Sequence, residues 1–265
     1  MDMLVDSHCH LDFPKLLTRL DDVLKAANEA GVGRMVSIST HVSRYDTYRQ
    51  LAEKYDQVFF TCGTHPHNAA EEPDTSVVQI AELSRHPRCI GIGEAGLDYH
   101  YNFASHDIQK KVFRTHIATA RETGLPLVIH AREADEDMIH ILQDEMKKGT
   151  FQAVLHCFSS SAKLAEIGIE LGLYFSFSGV LTYKKADNVR QVAALIPHDR
   201  VLVETDAPYL APEPFRSKTN EPSFVIHTAR VLGETLKVSE HDIAALTTAN
   251  FYRLFRKAAQ LDGYC

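Results

Sequence analysis

The amino-acid sequence predicts an α/β fold in which about eight parallel strands close into a single-domain (β/α)8 TIM barrel. Short apolar, β-branched runs alternate with segments of helical periodicity along the whole chain, which is typical of parallel strands joined by helices. The length of 265 residues suits one barrel of about 250 residues. The sequence contains no linker or low-complexity segment, so we expect one domain over 1–265.

The first half of the chain gives four strand–helix units. The strands are predicted at 3–7, 34–39, 58–63 and 89–93. The helices that follow them are predicted at 14–31, 43–55, 76–87 and 108–124. Gly31 is typical of a helix end, and a longer loop at 95–107 precedes the fourth helix.

The second half repeats the pattern. The strands are predicted at 125–129, 152–155, 173–178 and 200–204. The helices are predicted at 134–149, 161–172, 186–197 and 224–237. A final helix is predicted to begin after Ser239, whose hydroxyl is a suitable N-cap. An open doubly wound sheet is the alternative, but the turn after the first strand carries His-Cys-His where that fold needs a glycine-rich loop.

Composition and charge restrict the class of protein. With 28 Lys and Arg against 35 Asp and Glu, the net charge of −7 argues against a protein that coats duplex DNA, but not against a small cationic cleft. No apolar run approaches the roughly 18 residues of a membrane span, and no signal peptide is evident. Five scattered cysteines without a CxxC pair indicate a reducing compartment, so we expect a cytoplasmic protein.

Six candidate metal ligands follow predicted strands: His8, His10, Glu94, His130, His156 and Asp206. An HxH pair on a strand shares one face, with about 6.6 Å between the residues along the strand. Imidazole and carboxylate ligands suit Zn, Mn, Fe, Ni or Mg. Because a catalytic Zn normally has three protein ligands, six ligands predict two ions, about 3.5–4 Å apart. Taken singly, each histidine also fits a buried structural role, and Asp206 fits a turn before Pro208.

Two ions activate water and stabilise both oxygens of a displacement, so the site predicts hydrolysis. Basic residues after strands 5, 7 and 8 favour an anionic substrate such as a phosphate: Arg132, Lys184, Lys185, Arg216 and Lys218. Nearby acidic residues weaken that inference: Asp12, Asp98, Glu133 and Asp135. His65 is a candidate to hold a phosphate or protonate a leaving oxygen, and a turn residue before Pro66 is the equal alternative.

Several motifs resemble the TatD family of metal-dependent deoxyribonucleases, within the amidohydrolase-like superfamily. They are VDSHCHLD, GTHPH, GIGEAGLDYH, VIHAREA, LHCFS, SFSG and VLVETDAPYLAP, in the family's order and spacing, and the resemblance runs from about Met3 to about Lys257. The resemblance implies a (β/α)8 barrel and a divalent-metal-dependent DNase, several members of the family being 3′→5′ exonucleases.

The resemblance also implies roles for residues. One metal ion would be held by His8, His10, Glu94 and Asp206. The other would be held by Glu94, His130 and His156, so that Glu94 bridges the two. His65 and Arg132 match positions that face the substrate phosphate. Two departures from many relatives concern loops that face the substrate: the chain has Ser217 where they carry Gly, and Tyr101 where they carry Arg.

We therefore predict a cytoplasmic exonuclease that acts from the 3′ end of single-stranded or frayed DNA, as a monomer or small homo-oligomer. Asp206 would be the general base and Glu94 the second catalytic carboxylate, with two divalent ions (Mg, Mn or Zn) as cofactors. The ligand set alone leaves open hydrolysis of another ester or amide, such as a lactone, a cyclic amide or an aminoacyl-tRNA. A non-catalytic barrel that binds metal or nucleic acid is the third possibility.

Overall fold

Eight parallel strands form the wall of the protein in a computed structural model that describes residues 3–101 and 103–264. Cys265, one of the five cysteines, lies outside these residues, and the four described cysteines are free. The strands are β1 Leu4–Cys9, β2 Val32–Ser37, β3 Val58–Cys62, β4 Cys89–Asp98, β5 Leu127–Arg132, β6 Ala153–Leu155, β7 Tyr174–Phe177 and β8 Val201–Val203.

Helices follow every strand and cover the outside of the wall. They are α1 Pro14–Leu17, α2 Leu20–Glu29, α3 Tyr45–Lys54, α4 Val77–Leu83, α5 His106–Thr123, α6 Asp135–Lys148, α7 Ala162–Glu170, α8 Asp187–Ala193, α9 Val225–Leu236, α10 Glu240–Leu254 and α11 Arg256–Asp262. Serine hydroxyls cap several of them, and the Oγ atom of Ser239 accepts a hydrogen bond from the Asp242 N–H, as predicted. No helix among the described residues is both long and apolar enough to cross a membrane.

The strands pair in chain order from β1 to β8, every pair parallel. Between β8 and β1 the wall is completed by one bridge, which joins Cys9 to Ala207. On either side of that bridge the His10 N–H donates to the Ala207 carbonyl (2.7 Å) and the Asp206 N–H donates to the His8 carbonyl (2.9 Å). The predicted (β/α)8 barrel is therefore confirmed, and its closure involves three of the predicted ligand residues.

The barrel interior is filled by apolar side chains, with every strand contributing: Val5, Val36, Phe59, Ile90, Val128, Val154, Tyr174 and Leu202. Phe251 and Phe255 of the C-terminal helices join this cluster. They lie at the N-terminal end of the barrel, because the Asn250 amide donates to the carbonyl of Val201, where β8 begins (2.9 Å). Apolar packing therefore closes the N-terminal end of the barrel. The C-terminal end, where barrel enzymes carry their active sites, is left to polar residues.

Element boundaries differ from the prediction by a few residues at many ends, and four of the differences bear on the site or the core. The helix predicted over 14–31 is two helices, because Arg19 leaves the helical conformation (φ −134°, ψ 30°) and pairs with Glu221 of a distant loop. The last helix also breaks, at Phe255, whose ring turns into the barrel. Strand β4 runs five residues beyond its predicted end at 93. Strand β8 is shorter, so Asp206 follows it by three residues.

Candidate metal centre

The six predicted ligands converge at the C-terminal end of the barrel. His8 and His130 lie within β1 and β5, and His10 and His156 come directly after β1 and β6. Glu94 lies in the middle of β4 and is fully buried.

Glu94 is the centre of the arrangement, and its two carboxylate oxygens face different neighbours. Oε1 lies 2.9 Å from His130 Nδ1, 2.8 Å from His156 Nε2 and 3.4 Å from His65 Nε2. Oε2 lies 3.4 Å from His8 Nε2 and 4.0 Å from His10 Nε2. One carboxylate therefore stands between two groups of imidazoles, which is the position of a bridging ligand.

Asp206 completes the group that Oε2 faces. Its Oδ1 atom lies 3.5 Å from His10 Nε2 and 3.7 Å from His8 Nε2. The backbone of Asp206 has φ 58°, a left-handed conformation that Asp and Asn tolerate better than most residues. Its N–H donates to the His8 carbonyl (2.9 Å), so the barrel closure fixes this carboxylate beside the two histidines.

Glycines let β4 approach its neighbours where Glu94 sits. A Cβ atom on Gly63 would lie 2.4 Å from the Cα atom of Gly93. A Cβ atom on Gly96 would lie 2.0 Å from the carbonyl oxygen of His130. Side chains at Gly63 or Gly96 would push β3 or β5 away from β4, and the histidines would no longer reach Glu94.

Two carboxylates that the ligand prediction did not include lie behind the histidines. Asp98 Oδ2 is 2.9 Å from His130 Nε2, on the opposite edge of the ring from Glu94. Glu204 Oε1 is 3.2 Å from His156 Nδ1, and its other oxygen accepts a hydrogen bond from the Ser176 hydroxyl. Both carboxylates are fully buried. A carboxylate bonded to the far nitrogen of a ligating histidine fixes the orientation and tautomer of the ring.

The residues present fit a divalent cation. Among the described residues, four buried polar atoms of the site have no hydrogen-bond partner: His8 Nδ1, His8 Nε2, His10 Nδ1 and Glu94 Oε2. Unpaired buried polar atoms are costly, and a cation in contact with lone pairs removes that cost. Burial, with His156 nearby, lowers the pKa of His8, which keeps the ring neutral and its lone pair available.

The ionisation of Glu94 agrees with the binding of a divalent cation. Burial raises the pKa of Glu94, but the surrounding rings of His156, His65 and His8 hold it well below its usual range. The potential ligand atoms form three overlapping groups in which all atoms lie within 4.8 Å of one another: His8, Glu94 and His156; His8, His10 and Asp206; and His65, Glu94 and His130.

His65, which is predicted to contact substrate, thus belongs to one of these groups, together with Glu94 and His130. Its Nδ1 atom accepts a hydrogen bond from the His67 N–H (3.0 Å). Burial holds the pKa of His65 well below its usual value, so the ring is neutral and its one proton is on Nε2. A protonated nitrogen donates a hydrogen bond and does not ligate a metal, so this arrangement favours contact with an oxygen atom.

Arg132, the other predicted substrate contact, is the last residue of β5 and is exposed. Its guanidinium carbon lies 5.1 Å from the centre of the Tyr101 ring. It is therefore beside the candidate site and not bonded to any of the six ligands. His67, which the sequence analysis did not single out, has Nε2 2.9 Å from Asp98 Oδ2 and so adjoins the same cluster.

Comparison with known proteins identifies the family. A family model described as TatD related DNase matches residues 5–256. The chain belongs to the TatD family. The uncharacterized metal-dependent hydrolase YabD of Bacillus subtilis is 39% identical over 254 residues, which cover 96% of this chain and 99% of YabD. The TatD family resemblance seen in the sequence motifs is thus confirmed.

Other TatD relatives extend the comparison. A 3′-5′ ssDNA/RNA exonuclease TatD of Erwinia tasmaniensis is 35% identical over 241 residues, 89% of this chain and 93% of that protein. The crystal structure of the TatD homologue YJJV from Escherichia coli K12 superposes with a TM-score of 0.88 at 29% identity, covering 96% of this chain and 98% of YJJV. Together with the clustered ligands, these matches make the protein a metal-dependent hydrolase of the TatD family.

Proposed function

We propose that the protein is a deoxyribonuclease that removes nucleotides from the 3′ end of single-stranded or frayed DNA, with two divalent metal ions at the Glu94 cluster. The metal part of this proposal rests on one observation: each of the two Glu94 oxygens faces a different group of candidate ligands. One ion would be held by His8, His10, Glu94 and Asp206, and the other by Glu94, His130 and His156. Mg, Mn and Zn all suit these donors.

Asp206 is the proposed general base. Its side chain is 16% exposed and that of Glu94 is 2% exposed, so Asp206 is the more open of the two carboxylates to an attacking water. Bound divalent ions would supply the lowered pKa of the attacking water and the stabilisation of charge on the phosphorus oxygens. Glu94 is catalytic in this scheme because it holds the two groups of ligands together.

His65 and Arg132 are the proposed contacts to the phosphate. The Nε2–H group of His65 faces the cluster and is a neutral donor for a phosphate or leaving oxygen. The guanidinium of Arg132 is exposed at the rim and suits a phosphate oxygen. His65 follows β3 and Arg132 ends β5, on either side of β4, so both can contact one substrate.

A polymeric substrate is favoured by a groove of about 490 Å³ at the same end of the barrel. Its lining includes Lys184, Lys185 and Arg216, together with Tyr183. Arg216 packs on the Tyr183 ring, 3.7 Å from its centre. Although the chain is acidic overall, this groove offers three cations for backbone phosphates beyond the reacting one. The name of the Erwinia tasmaniensis relative, an exonuclease of single-stranded DNA and RNA, supports the same assignment.

The test is nucleotide release from a single-stranded DNA oligonucleotide labelled at its 5′ end, with Mg²⁺, Mn²⁺ or EDTA. A ladder that shortens stepwise from the 3′ end and disappears in EDTA is the expected result. If folded, metal-loaded protein cleaves no DNA with any metal, the nuclease assignment is wrong and hydrolysis of another ester or amide becomes the assignment to test.

The variant Asp206→Asn tests the role of the base. Asn tolerates the φ of 58° at this position, so the barrel should still fold. Loss of a general base lowers the rate by roughly 10²–10⁴-fold, and we expect a loss in that range. Metal content is measured on the same sample by mass spectrometry. Full activity in a metal-replete variant would exclude Asp206 as the base.

A further inference from the structure

Exposed aromatic side chains are concentrated around the metal centre. In the described part of the chain, four large aromatic residues are exposed: Tyr101, Phe103, Tyr209 and Tyr264. Three of them border the site, because Tyr209 lies 6.5 Å from the His10 ring and both Tyr101 and Phe103 contact His67. Exposed aromatic rings do not coordinate a metal ion. Their concentration around this polar, acidic cluster therefore indicates that the site binds a second kind of ligand.

Tyr101 and Phe103 form a pair that is open to solvent. Their rings lie 5.4 Å apart with an interplanar angle of 29°, and they are 42% and 64% exposed. His67 lies against both, with its ring centre 5.3 Å from Tyr101 and 5.0 Å from Phe103. The pair is thus supported from the side of the site and leaves aromatic surface free.

The pair is joined to the metal centre by direct contacts. His67 Nε2 is 2.9 Å from Asp98 Oδ2, and the same oxygen is 2.9 Å from Nε2 of His130. The guanidinium of Arg132 lies over Tyr101, 5.1 Å from the ring centre. A cation for phosphate and a flat aromatic surface therefore lie side by side, and His67 and Asp98 connect them to His130, a predicted metal ligand.

We propose that Tyr101 and Phe103 are the stacking surface for a nucleobase next to the scissile phosphate of a single-stranded nucleic acid. This inference rests on the proposed nuclease function and specifies its substrate contact. Bases stack on aromatic side chains without regard to sequence, and Arg132 would hold an adjoining phosphate. A base inside a duplex is stacked on both faces and offers none to the protein, so the surface favours unpaired strands.

The test measures binding and cleavage separately. Binding uses a 5′-fluorescein oligothymidylate whose last linkages carry a methylene group in place of the leaving oxygen, with Mn²⁺ present, so that anisotropy is read without hydrolysis. We expect the double variant Tyr101→Ala, Phe103→Ala to bind on the order of 10-fold more weakly, the usual effect of removing a stacking ring. Tyr101→Phe and Phe103→Tyr keep the rings and should restore binding.

Tyr264→Ala is the matched control, because Tyr264 is 44% exposed and stacks on Tyr252 away from the site. An abasic residue scanned along the 3′ end locates the base. At one position the abasic substrate should bind wild-type protein as weakly as the double variant binds the intact strand, and combining the two changes should add nothing.

The outcomes separate this inference from the function. If the wild-type protein cleaves DNA and the double variant binds the probe as tightly as it does, the stacking surface is wrong and the nuclease stands. If the wild-type protein cleaves nothing but its binding depends on the two rings, the nuclease is wrong and the rings stack on a base of a strand that is bound but not cleaved. If it neither binds nor cleaves, both are wrong and the rings belong to another surface.

Discussion

The two sides of the candidate metal centre are built differently. On the seam side, where β1 meets β8, the candidate ligands are His8, His10 and Asp206, and within the described part of the chain the Nδ1 atom of neither histidine has a hydrogen-bond partner. Their rings are held by stacking, His8 on His156 at 3.8 Å and His10 on Phe13 at 4.8 Å. The backbone bonds of the barrel closure hold Asp206.

On the far side, each histidine lies between two carboxylates. His130 has Glu94 at one nitrogen and Asp98 at the other, and His156 has Glu94 and Glu204. The far side is therefore oriented by hydrogen bonds between side chains, and the seam side by ring stacking and the backbone bonds of the barrel closure. Substitution of Asp98 or Glu204 should consequently affect the far side only. Substitution of Glu94, which both sides share, should affect both.

Glu94→Gln is expected to have the largest effect. It keeps the size of the side chain but removes the charge that faces both groups of imidazoles. A bound metal ion contributes several kcal/mol to the stabilisation of charge in the transition state. Because the variant should lose at least one ion, we expect the rate of hydrolysis to fall on the order of 10³-fold or more. For the proposed two-ion site, bound metal, measured by mass spectrometry, should fall to one ion per chain or none.

The control for Glu94→Gln is Glu145→Gln. Glu145 is also buried, but it pairs with Arg121 on the outer helices (3.0 Å). It should change stability and leave metal content unchanged. Two tightly bound ions in folded Glu94→Gln protein would mean that Glu94 is not the bridge.

Asp98→Asn and Glu204→Gln should have smaller effects, confined to the far side. Removing a carboxylate that supports a ligating histidine lowers metal affinity by about 10- to 100-fold. A calorimetric titration of metal-free protein should show one weakened ion and one unchanged ion in each variant. Glu133→Gln is the matched control, since it breaks a carboxylate–histidine pair on the surface, with His100 at 2.6 Å. Equal weakening of both ions would contradict the difference between the two sides.

The difference between the sides also explains what the sequence could predict. The six candidate ligands could be selected from the sequence because each follows or ends a short apolar run, a local pattern that survives small errors in strand boundaries. Predicted strand ends at 93 and 204 still delivered Glu94 and Asp206 to the correct end of the barrel, although β4 and β8 have other limits.

The supporting residues were not accessible in the same way. Asp98 shares a strand face with Glu94 at a spacing of four residues, but a strand predicted to end at 93 loses that alternation. Glu204 was visible two residues before Asp206, yet its partner His156 is 48 residues away in the chain. Such pairs depend on how the strands are arranged around the barrel, and charge patterns along the chain carry no signal for them.

A smaller effect is expected from His116, which joins the far side to the outer helices. Its Nε2 atom accepts a hydrogen bond from the Thr64 N–H (3.0 Å), beside His65, and its Nδ1–H donates to the Val112 carbonyl (2.8 Å). Burial lowers the pKa of His116 to about 4 from 6.5. The unfolded chain therefore binds the proton first as pH falls, so stability is complete above about pH 6.5 and is lost toward pH 4.

The size of this loss follows from the pKa difference. At 1.36 kcal/mol per pKa unit, His116 should remove about 2–3 kcal/mol of unfolding free energy between pH 7 and pH 4.5. His116→Gln retains an acceptor and a donor without a titrating group, so urea unfolding at the two pH values should show a smaller difference than in wild-type protein. His86→Gln is the control, because His86 is only partly buried and pairs with Glu53 (3.2 Å). If His116→Gln lost as much unfolding free energy between pH 7 and pH 4.5 as wild-type protein, the acid sensitivity of the far side would come from other groups.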